Sequence, residues 1–399
     1  PHSLMSSDCR TTPEQREKAA LGIVGRLRRE GFEALYAGGC VRDMLLGMED
    51  PGDIDIATDA TPAAIARIFR QVVGVGEQFG VMIVVEKGIP FEVATFRSDV
   101  GAIDGRHPDR VEFADPKSDA FRRDFTINGM FYDPLTREVH DYVGGQQDLG
   151  AGTIRAIGDP YVRFSEDYLR LLRGVRFAAR LGFSFEPATW HALKARAGNI
   201  GHISAERIFA ELDKMLLHDS RRKAVELLHE CGLLGHVLPD VEALHGIRQP
   251  PEFHPEGDVY THTLKALSLL HEPGRCLVWS TLLHDVGKRK TMSESDRIRF
   301  HNHHRVGSRM AREILKDLRA PRQLIECVSD CVENHMNFMN VQKMRTSTLK
   351  RFLSRPTIHD ELELHRVDCL ASHGDTGNYD FLTEKLHTLG AEEIKPEPW

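Results

Sequence analysis

From Leu35 to Gly47 the chain reads Leu-Tyr-Ala-Gly-Gly-Cys-Val-Arg-Asp-Met-Leu-Leu-Gly, and from Asp50 to Ile56 it reads Asp-Pro-Gly-Asp-Ile-Asp-Ile. The first stretch predicts a strand running into the pair Gly38-Gly39, then a helix from near Val41. Two glycines let backbone N–H groups approach a phosphate, and a helix N-terminus adds positive potential there. Arg42 falls in the first helical turn, placed to pair with a phosphate. The second stretch predicts a strand carrying Asp53 and Asp55 two residues apart, hence on one face. Two converging carboxylates repel each other unless a cation lies between them, and Mg²⁺ with substrate phosphates suits such a pair. Glu92, alternating with Phe91 and Val93 on a later predicted strand, is the candidate third carboxylate.

Around this stretch the first third of the chain mixes helices and strands. Pro13 to Glu30 predicts an amphipathic helix ending at Gly31. Ala34–Ala37, Ile54–Ala57, Val81–Val85 and Phe91–Phe96 predict short strands. Thr61-Pro62 before Ala63–Phe69 is a helix start. Gly101 to Asp119 is polar and predicts one long loop, a length usually reserved for function. After about Gly158 helical periodicity takes over almost to the end, and the Pro- and Gly-containing stretch from Asp240 to Asp258 suggests a boundary. The expected fold class is α+β: a head with a mixed sheet, followed by all-helical domains.

The chain has 399 residues, enough for about two to four domains. Hydrophobic residues make up 41% and charged residues 28%, a globular balance that excludes a disordered or collagen-like chain. Lys plus Arg is 52 against 59 Asp plus Glu, a net charge of −7, which argues against indiscriminate nucleic-acid binding over the whole surface. No apolar run approaches the roughly 20 residues of a membrane helix, and no apolar leader opens the chain. The seven Cys, at 9, 40, 231, 276, 327, 331 and 369, include no C-x-x-C; reduced buried thiols in a cytoplasm are expected. The 21 His direct attention to metal ligands.

Taken together, in that order and spacing, the G-G-x-V-R-D and D-x-D motifs resemble the nucleotidyltransferase superfamily that includes DNA polymerase β. The form of the first motif resembles its class II branch, the bacterial tRNA CCA-adding enzymes and poly(A) polymerases. Arg122-Arg123-Asp124-Phe125-Thr126-Ile127-Asn128 is similar to a motif of the same family, which implies that Arg123 and Asp124 lie near the incoming nucleotide. The stretch Ala94–Asp99 through Asp104–Phe113 resembles that family's flexible loop, which helps switch from C to A addition.

Between Ser165 and Arg180, helical spacing sets Arg170, Arg173, Arg176 and Arg180 in one stripe with Asp167 at its edge. Leu171, Leu172, Val175 and Ala179 fall opposite and should pack inward. Cytosine and adenine each show an amino donor beside a ring-nitrogen acceptor. A carboxylate and a guanidinium one turn apart, Asp167 and Arg170, complement that edge and reject guanine and uracil. The family's E-D-x-x-R motif matches here, and the resemblance implies that Arg170 and Arg173 contact CTP or ATP while Asp167 helps select the base.

Further on come His262, then Leu282-Leu283-His284-Asp285, then His303, His335 and Asp368. Adjacent His and Asp behind two leucines make a poor surface pattern, and ligands from separate helices can converge on divalent ions. The order H…HD…D resembles the HD phosphohydrolase domain, with His303 and His335 completing a second position. A transition metal such as Ni²⁺ or Mn²⁺ is the candidate occupant. A decayed HD domain serving as scaffold is the alternative.

The resemblance implies a polymerase-β-like head at 20–155, a helical neck and body at 156–240, an HD domain at 255–375 and a tail at 376–399. It implies addition of CCA to the tRNA 3′ end and acceptor stem from CTP and ATP, with Mg²⁺ at Asp53 and Asp55, in the cytoplasm, with no membrane or DNA partner. An A-adding enzyme is the nearest alternative, then a poly(A) polymerase. A metal-dependent HD phosphohydrolase with an RNA-binding head is the reading of a different class. Local basic patches expected to grip RNA are Lys194 with Arg196, Arg221-Arg222-Lys223, and Lys343 through Arg345, Lys350 and Arg351.

Overall fold

A computed structural model describes residues 11–76, 80–100, 110–250, 254–294 and 298–388. The chain divides into two compact units, one of residues 1–170 and 182–193, the other of 171–181 and 194–399.

The first unit is an α+β head. Helix α1 (Pro13–Arg29) starts on a capping box in which Thr12 and Gln15 satisfy each other's backbone N–H. Strand β1 (Ala34–Ala37) follows, then α2 (Gly39–Leu45), β2 (Asp55–Thr58) and α3 (Pro62–Ile68), which Thr61 caps. Next come β3 (Val72–Gly76), β4 (Val81–Glu86), β5 (Ile89–Thr95), β6 (Arg97–Val100) and β7 (Arg110–Phe113). Helix α4 (Pro116–Phe121), β8 (Met130–Asp133), β9 (Glu138–Asp141), α5 (Gly145–Gly150) and β10 (Thr153–Ile154) complete the run to α6 (Pro160–Glu166). The seven-stranded sheet has the order β3-β4-β5-β2-β1-β8-β9, and only β2 and β5 run parallel. Tyr36, Ile56 and Val93 are buried in the sheet, and α1 packs on β1, β4 and β5.

The expected loop from Gly101 to Asp119 is shorter than its composition suggests. Residues 110–113 pair with β6 as β7, and Asp115 caps α4 by accepting the Ser118 N–H. The loop stretch at 101–109 lies outside the described residues. Strands β3, β8 and β9 were not expected. They are short pieces interrupted by Gly74, Gly76 or the turn at Pro134, so they lack a long alternating run.

The second unit is built mainly of helices. Helix α7 (Leu169–Leu181) buries Leu171, Leu172, Val175 and Ala179 as expected. The chain then returns to the first unit, where the two-residue strand β11 (Ser184–Phe185) pairs with β10 and α8 (Pro187–Arg196) begins. Then come α9 (Ala205–Leu217), α10 (Arg221–Glu230), α11 (Leu234–Val237), α12 (Pro239–Glu242), α13 (Val259–Ser268) and α14 (Arg275–Leu283). Helix α15 (Lys288–Thr291) leads into a small ribbon, β12 (Met292–Glu294) with β13 (Ile298–Phe300), an interruption of the all-helical expectation. Helices α16 (His303–Asp317), α17 (Arg322–Asn334), α18 (Thr346–Leu353), α19 (Ile358–Ala371) and α20 (Gly377–Thr388) finish the chain. Trp279 on α14 is fully buried, stacks on Phe209 at 5.5 Å and donates its indole N–H to Asp213 at 3.0 Å.

The expectation of reduced thiols needs correction. Cys276 on α14 and Cys327 on α17 form a disulfide, because the packing of those helices sets their Cα atoms 6.1 Å apart, within bridging range. Cys40, Cys231, Cys331 and Cys369 are free and buried. No described helix is long and apolar enough to cross a membrane.

Candidate functional site

In the head, strand register builds the carboxylate cluster. Ile56 on β2 lies beside Val93 on β5, so one step back along the parallel register sets Asp55 beside Glu92. Ile56 and Val93 are buried and Asp55 and Glu92 exposed, so the two carboxylates share the open face. Asp53 lies outside β2, contrary to expectation; strand pairing begins at Asp55, after the turn that Gly52 makes at φ +76°. Arg16 fixes this turn by donating to Asp50 and to the Gly52 carbonyl, both at 2.7 Å. The charges still meet. Desolvation by the surrounding protein, then the charge of Glu92, with Asp53 adding, pushes the Asp55 carboxyl up to about 6, while Arg123 opposes the shift. Such mutual repulsion is what a divalent cation relieves.

The pairing of Ala37 with Asp55 puts the Gly38-Gly39 turn next to this cluster. Helix α2 starts at Gly39, two residues before the expected Val41, with Gly38 as its N-cap at φ +74°. A Cβ on Gly38 would lie 2.8 Å from Arg123 Nη1, so glycine is what admits that guanidinium. Arg123 also donates to Asp119 at 3.0 Å and lies over the Phe131 ring at 4.9 Å. Asp119, shared with Arg122, is held below the usual carboxylate range: burial opposes the shift, and Arg123 and Arg122 outweigh it. Arg42 is buried and binds Asp43 and Asn128, each at 2.7 Å. Asp124 accepts from the Phe125 N–H and from Asn128 Nδ2. The R-R-D-F-T-I-N stretch thus links the glycine turn to its neighbours.

The expected helix from Ser165 to Arg180 is broken at Asp167, which ends α6. Its Oδ1 accepts the Leu169 N–H at 3.0 Å and so starts α7. Asp167 and Arg170 therefore flank a helix start rather than occupy successive turns. Arg170 donates to Glu166 at 2.6 Å, to the Arg163 carbonyl at 2.7 Å and to the Arg122 carbonyl at 3.0 Å. It ties α7 to the R-R-D stretch. Arg173 follows on α7 and lies over the Phe177 ring at 5.3 Å.

The histidines of the second unit converge. His262 on α13, His284 and Asp285 after α14, and Asp368 on α19 form one cluster; Asp285, His303 and His335 form another. Asp285 faces both. Its Oδ2 is 3.2 Å from His284 Nε2, and its Oδ1 is 3.5 Å from His303 Nε2 and 4.0 Å from His335 Nε2. All four imidazoles use Nδ1 against an acceptor: Glu256 for His262, and the carbonyls of Thr281, Phe300 and Val332 for His284, His303 and His335. That fixes the tautomer of His284, His303 and His335 with the Nε2 lone pair inward, the arrangement metal-ligating histidines adopt, whereas against burial the hydrogen bonds to Asp368 and Glu256 push the His262 imidazole up to about 9.

Three further observations fit a cation. His262 Nε2 and His284 Nε2 are buried and turned toward carboxylates, His262 Nε2 lying 3.0 Å from Asp368 Oδ1 and His284 Nε2 3.2 Å from Asp285 Oδ2. His303 and His335 bring their Nε2 atoms to 3.1 Å. Burial, then the neighbouring histidines, pushes the His335 pKa down to about 3, and burial lowers that of His303, so at neutral pH two lone pairs face each other. A cavity of about 330 Å³ opens on this cluster, with Lys288, Arg299, His254 and His373 in its wall.

Sequence reasoning missed Glu256, His254 and Lys288. Glu256 accepts from both His254 and His262, and against the effect of burial these bonds hold its carboxyl down to about 2. Lys288 Nζ is 2.7 Å from Asp285. The His-Pro-Glu spelling at 254–256 was a usable signal for the first two.

Of the basic patches, Arg221 is a correction. It is buried and donates to the carbonyls of Leu216 and Leu270, so it closes helix ends instead of meeting solvent. Arg176, Arg180, Lys214 and His218 instead line a separate cavity of about 450 Å³.

A family model described as "Poly A polymerase head domain" matches residues 34–155. The head is similar to that family over this stretch. Behind that head, "Probable RNA and SrmB- binding site of polymerase A" matches 182–244 and "HD domain" matches 259–371. A CCA-adding enzyme of Geobacillus sp. (strain WCH70) is 42% identical over 215 residues, 54% of this chain and 53% of that protein. One of Bacillus pumilus (strain SAFR-032) is 41% identical over 224 residues, 56% of this chain and 55% of that protein. The chain thus spans about half the length of these relatives. The solved CCA-adding enzyme of Bacillus stearothermophilus in complex with CTP is 26% identical, with 93% of this chain and 82% of that chain covered and a TM-score of 0.72.

Proposed function

We propose that this chain is a template-independent nucleotidyltransferase that adds CMP, CMP and AMP to the 3′ end of tRNA from CTP and ATP. The observation that carries the proposal is the parallel register of β2 and β5, which sets Asp55 beside Glu92 next to the Gly38-Gly39 turn. The names of the relatives, CCA-adding enzymes, support the same reaction.

In this reading the tRNA 3′-hydroxyl attacks the α-phosphate and pyrophosphate leaves. Asp53, Asp55 and Glu92 are the residues that would hold Mg²⁺, and the ion supplies Lewis-acid stabilisation of the charge that develops at phosphorus. The Gly38-Gly39 backbone, Arg42, Arg123 and Asp124 position the triphosphate. Asp167 and Arg170, with Arg173 on the following turn, complement the pairing edge shared by cytosine and adenine. The head at 20–155, the helical neck at 156–240 and the HD domain at 255–375 divide the work, with 376–399 as a tail. Lys194, Arg196 and the basic cavity of Arg176, Arg180 and Lys214 contact tRNA phosphates. The compartment is the cytoplasm, which suits the four free buried thiols among the described residues, while the Cys276–Cys327 disulfide runs against it. Radiolabelled CTP and ATP, supplied with tRNA lacking its 3′ end, test the proposal; absence of label from both nucleotides overturns it.

A second activity rests on the histidine cluster. The inward Nε2 lone pairs of His303 and His335, with Asp285 between the two clusters, favour two divalent metals such as Ni²⁺ or Mn²⁺ and hydrolysis of a phosphoester, with 2′,3′-cyclic nucleotides as the substrate class. Ring opening of a 2′,3′-cyclic nucleotide to its 2′- or 3′-monophosphate that depends on added metal and vanishes in His284→Ala supports it; none in the wild type removes it.

A further inference from the structure

A second set of metal-type ligands lies apart from the histidines, where α14, α17 and α19 meet. Cys276 Sγ, Cys327 Sγ and Cys331 Sγ lie within 4.8 Å of one another. Cys331 Sγ is 3.9 Å from Cys276 Sγ, and Cys327 Sγ is 3.8 Å from Asp360 Oδ2. These separations have a meaning. With Zn–S near 2.3 Å and Zn–O near 2.1 Å, the edges of a tetrahedral site are about 3.8 Å between two sulfurs and about 3.6 Å between sulfur and oxygen. Two edges of such a tetrahedron are already set. A third, from Cys276 to Cys327, is closed by the disulfide.

We propose that, once this disulfide is reduced, Cys276, Cys327, Cys331 and Asp360 form a site for a thiophilic d¹⁰ cation, Zn²⁺ in particular. A dithiol supplies two electrons and two protons, the Cys276–Cys327 bond opens to two thiols, and the dithiol leaves as its own disulfide. Binding then releases the three thiol protons as the sulfurs coordinate. Cys276 and Cys327 are half-buried, which leaves an entry path, and Cys331 is fully buried. Cys327 and Cys331 are four apart on α17, so one helix face presents both. Burial, then the nearby Glu361 and Asp360, pushes the Cys331 thiol up, and burial raises Asp360. Ser280 Oγ, 4.0 Å from Cys276 Sγ, stands beside the sulfurs as a further polar group. Oxidation and metal occupancy exclude each other, since the same two sulfurs serve both.

The experiment uses the full chain, reduced with dithiol, freed of reductant without air and titrated with Co²⁺. Thiolate coordination produces a near-ultraviolet sulfur-to-cobalt charge-transfer band, which the nitrogen and oxygen ligands of the histidine cluster do not give. One equivalent should bind with this signature, Zn²⁺ should abolish it, and the oxidised chain should lack it. Cys331→Ser and Cys276→Ser should each weaken Co²⁺ binding about tenfold or more and diminish the band, whereas His284→Ala should leave it unchanged. Two variants at positions of different burial separate ligand loss from misfolding. A reduced wild type without the band, or a band of undiminished strength in either cysteine variant, overturns the proposal.

Discussion

Glu92→Gln should move the titration of Asp55 by an amount the strand register sets. Asp55 titrates near 6, above the ordinary 3.8, because its surroundings desolvate it and because Glu92 and Asp53 repel its charge. Neighbouring strands lie about 4.8 Å apart, so two register-matched carboxylates are separated by about 5 Å. At that distance, with full water screening, unit charges repel by about 0.8 kcal/mol, equivalent to about 0.6 pH unit. Water screening is the appropriate lower limit because Asp55 reaches solvent. Removing the Glu92 charge should therefore lower the midpoint by about half a unit or more. The sign also fixes the metal dependence. Below the midpoint a cation must displace a proton from Asp55, so its apparent affinity falls about tenfold per pH unit there and is flat well above it. Carboxyl ¹³C resonances of the metal-free chain, labelled at Asp Cγ and assigned with Asp55→Asn, report the midpoint directly. An Asp55 that titrates near 4, or whose midpoint Glu92→Gln leaves in place, refutes the cluster.

Gly38→Ala places a Cβ against Arg123 at a left-handed φ, and should cost about 1–3 kcal/mol in urea melts while weakening nucleotide binding. Trp279→Ala removes a fully buried ring and strands the Asp213 acceptor, so chemical denaturation should show a loss of about 3–5 kcal/mol. Mn²⁺ at a hundredfold excess over its dissociation constant should stabilise the wild type by about 2.7 kcal/mol, read as a rise in Tm, and His284→Ala should shrink that rise.

The sequence was most legible where local chemistry and function coincide. The glycine pair, the aspartates, the H…HD…D order and the caps at Thr12 and Thr61 all sit where their residue types require. Less legible were features that depend on contacts distant in sequence. Asp55 meets Glu92 through pairing with β5, and the turn at Gly52, not strand alternation, directs Asp53. Helical periodicity cannot reveal that Asp167 caps the next helix, since a cap and a surface carboxylate look alike on a wheel. Arg221 read as surface charge because nothing local shows the Leu270 carbonyl that buries it. Cysteine spacing likewise gave no hint that Cys276 and Cys327, 51 residues apart, would face each other.

The most direct test of the account is single-turnover incorporation on tRNA ending before the CCA, with each nucleotide supplied separately and then together. CTP alone should extend the end by two residues, ATP should add one more after that, and Asp53→Ala with Asp55→Ala should abolish both additions. Incorporation of neither nucleotide, or of ATP alone and only onto ends already carrying CC, would contradict the proposed CCA addition.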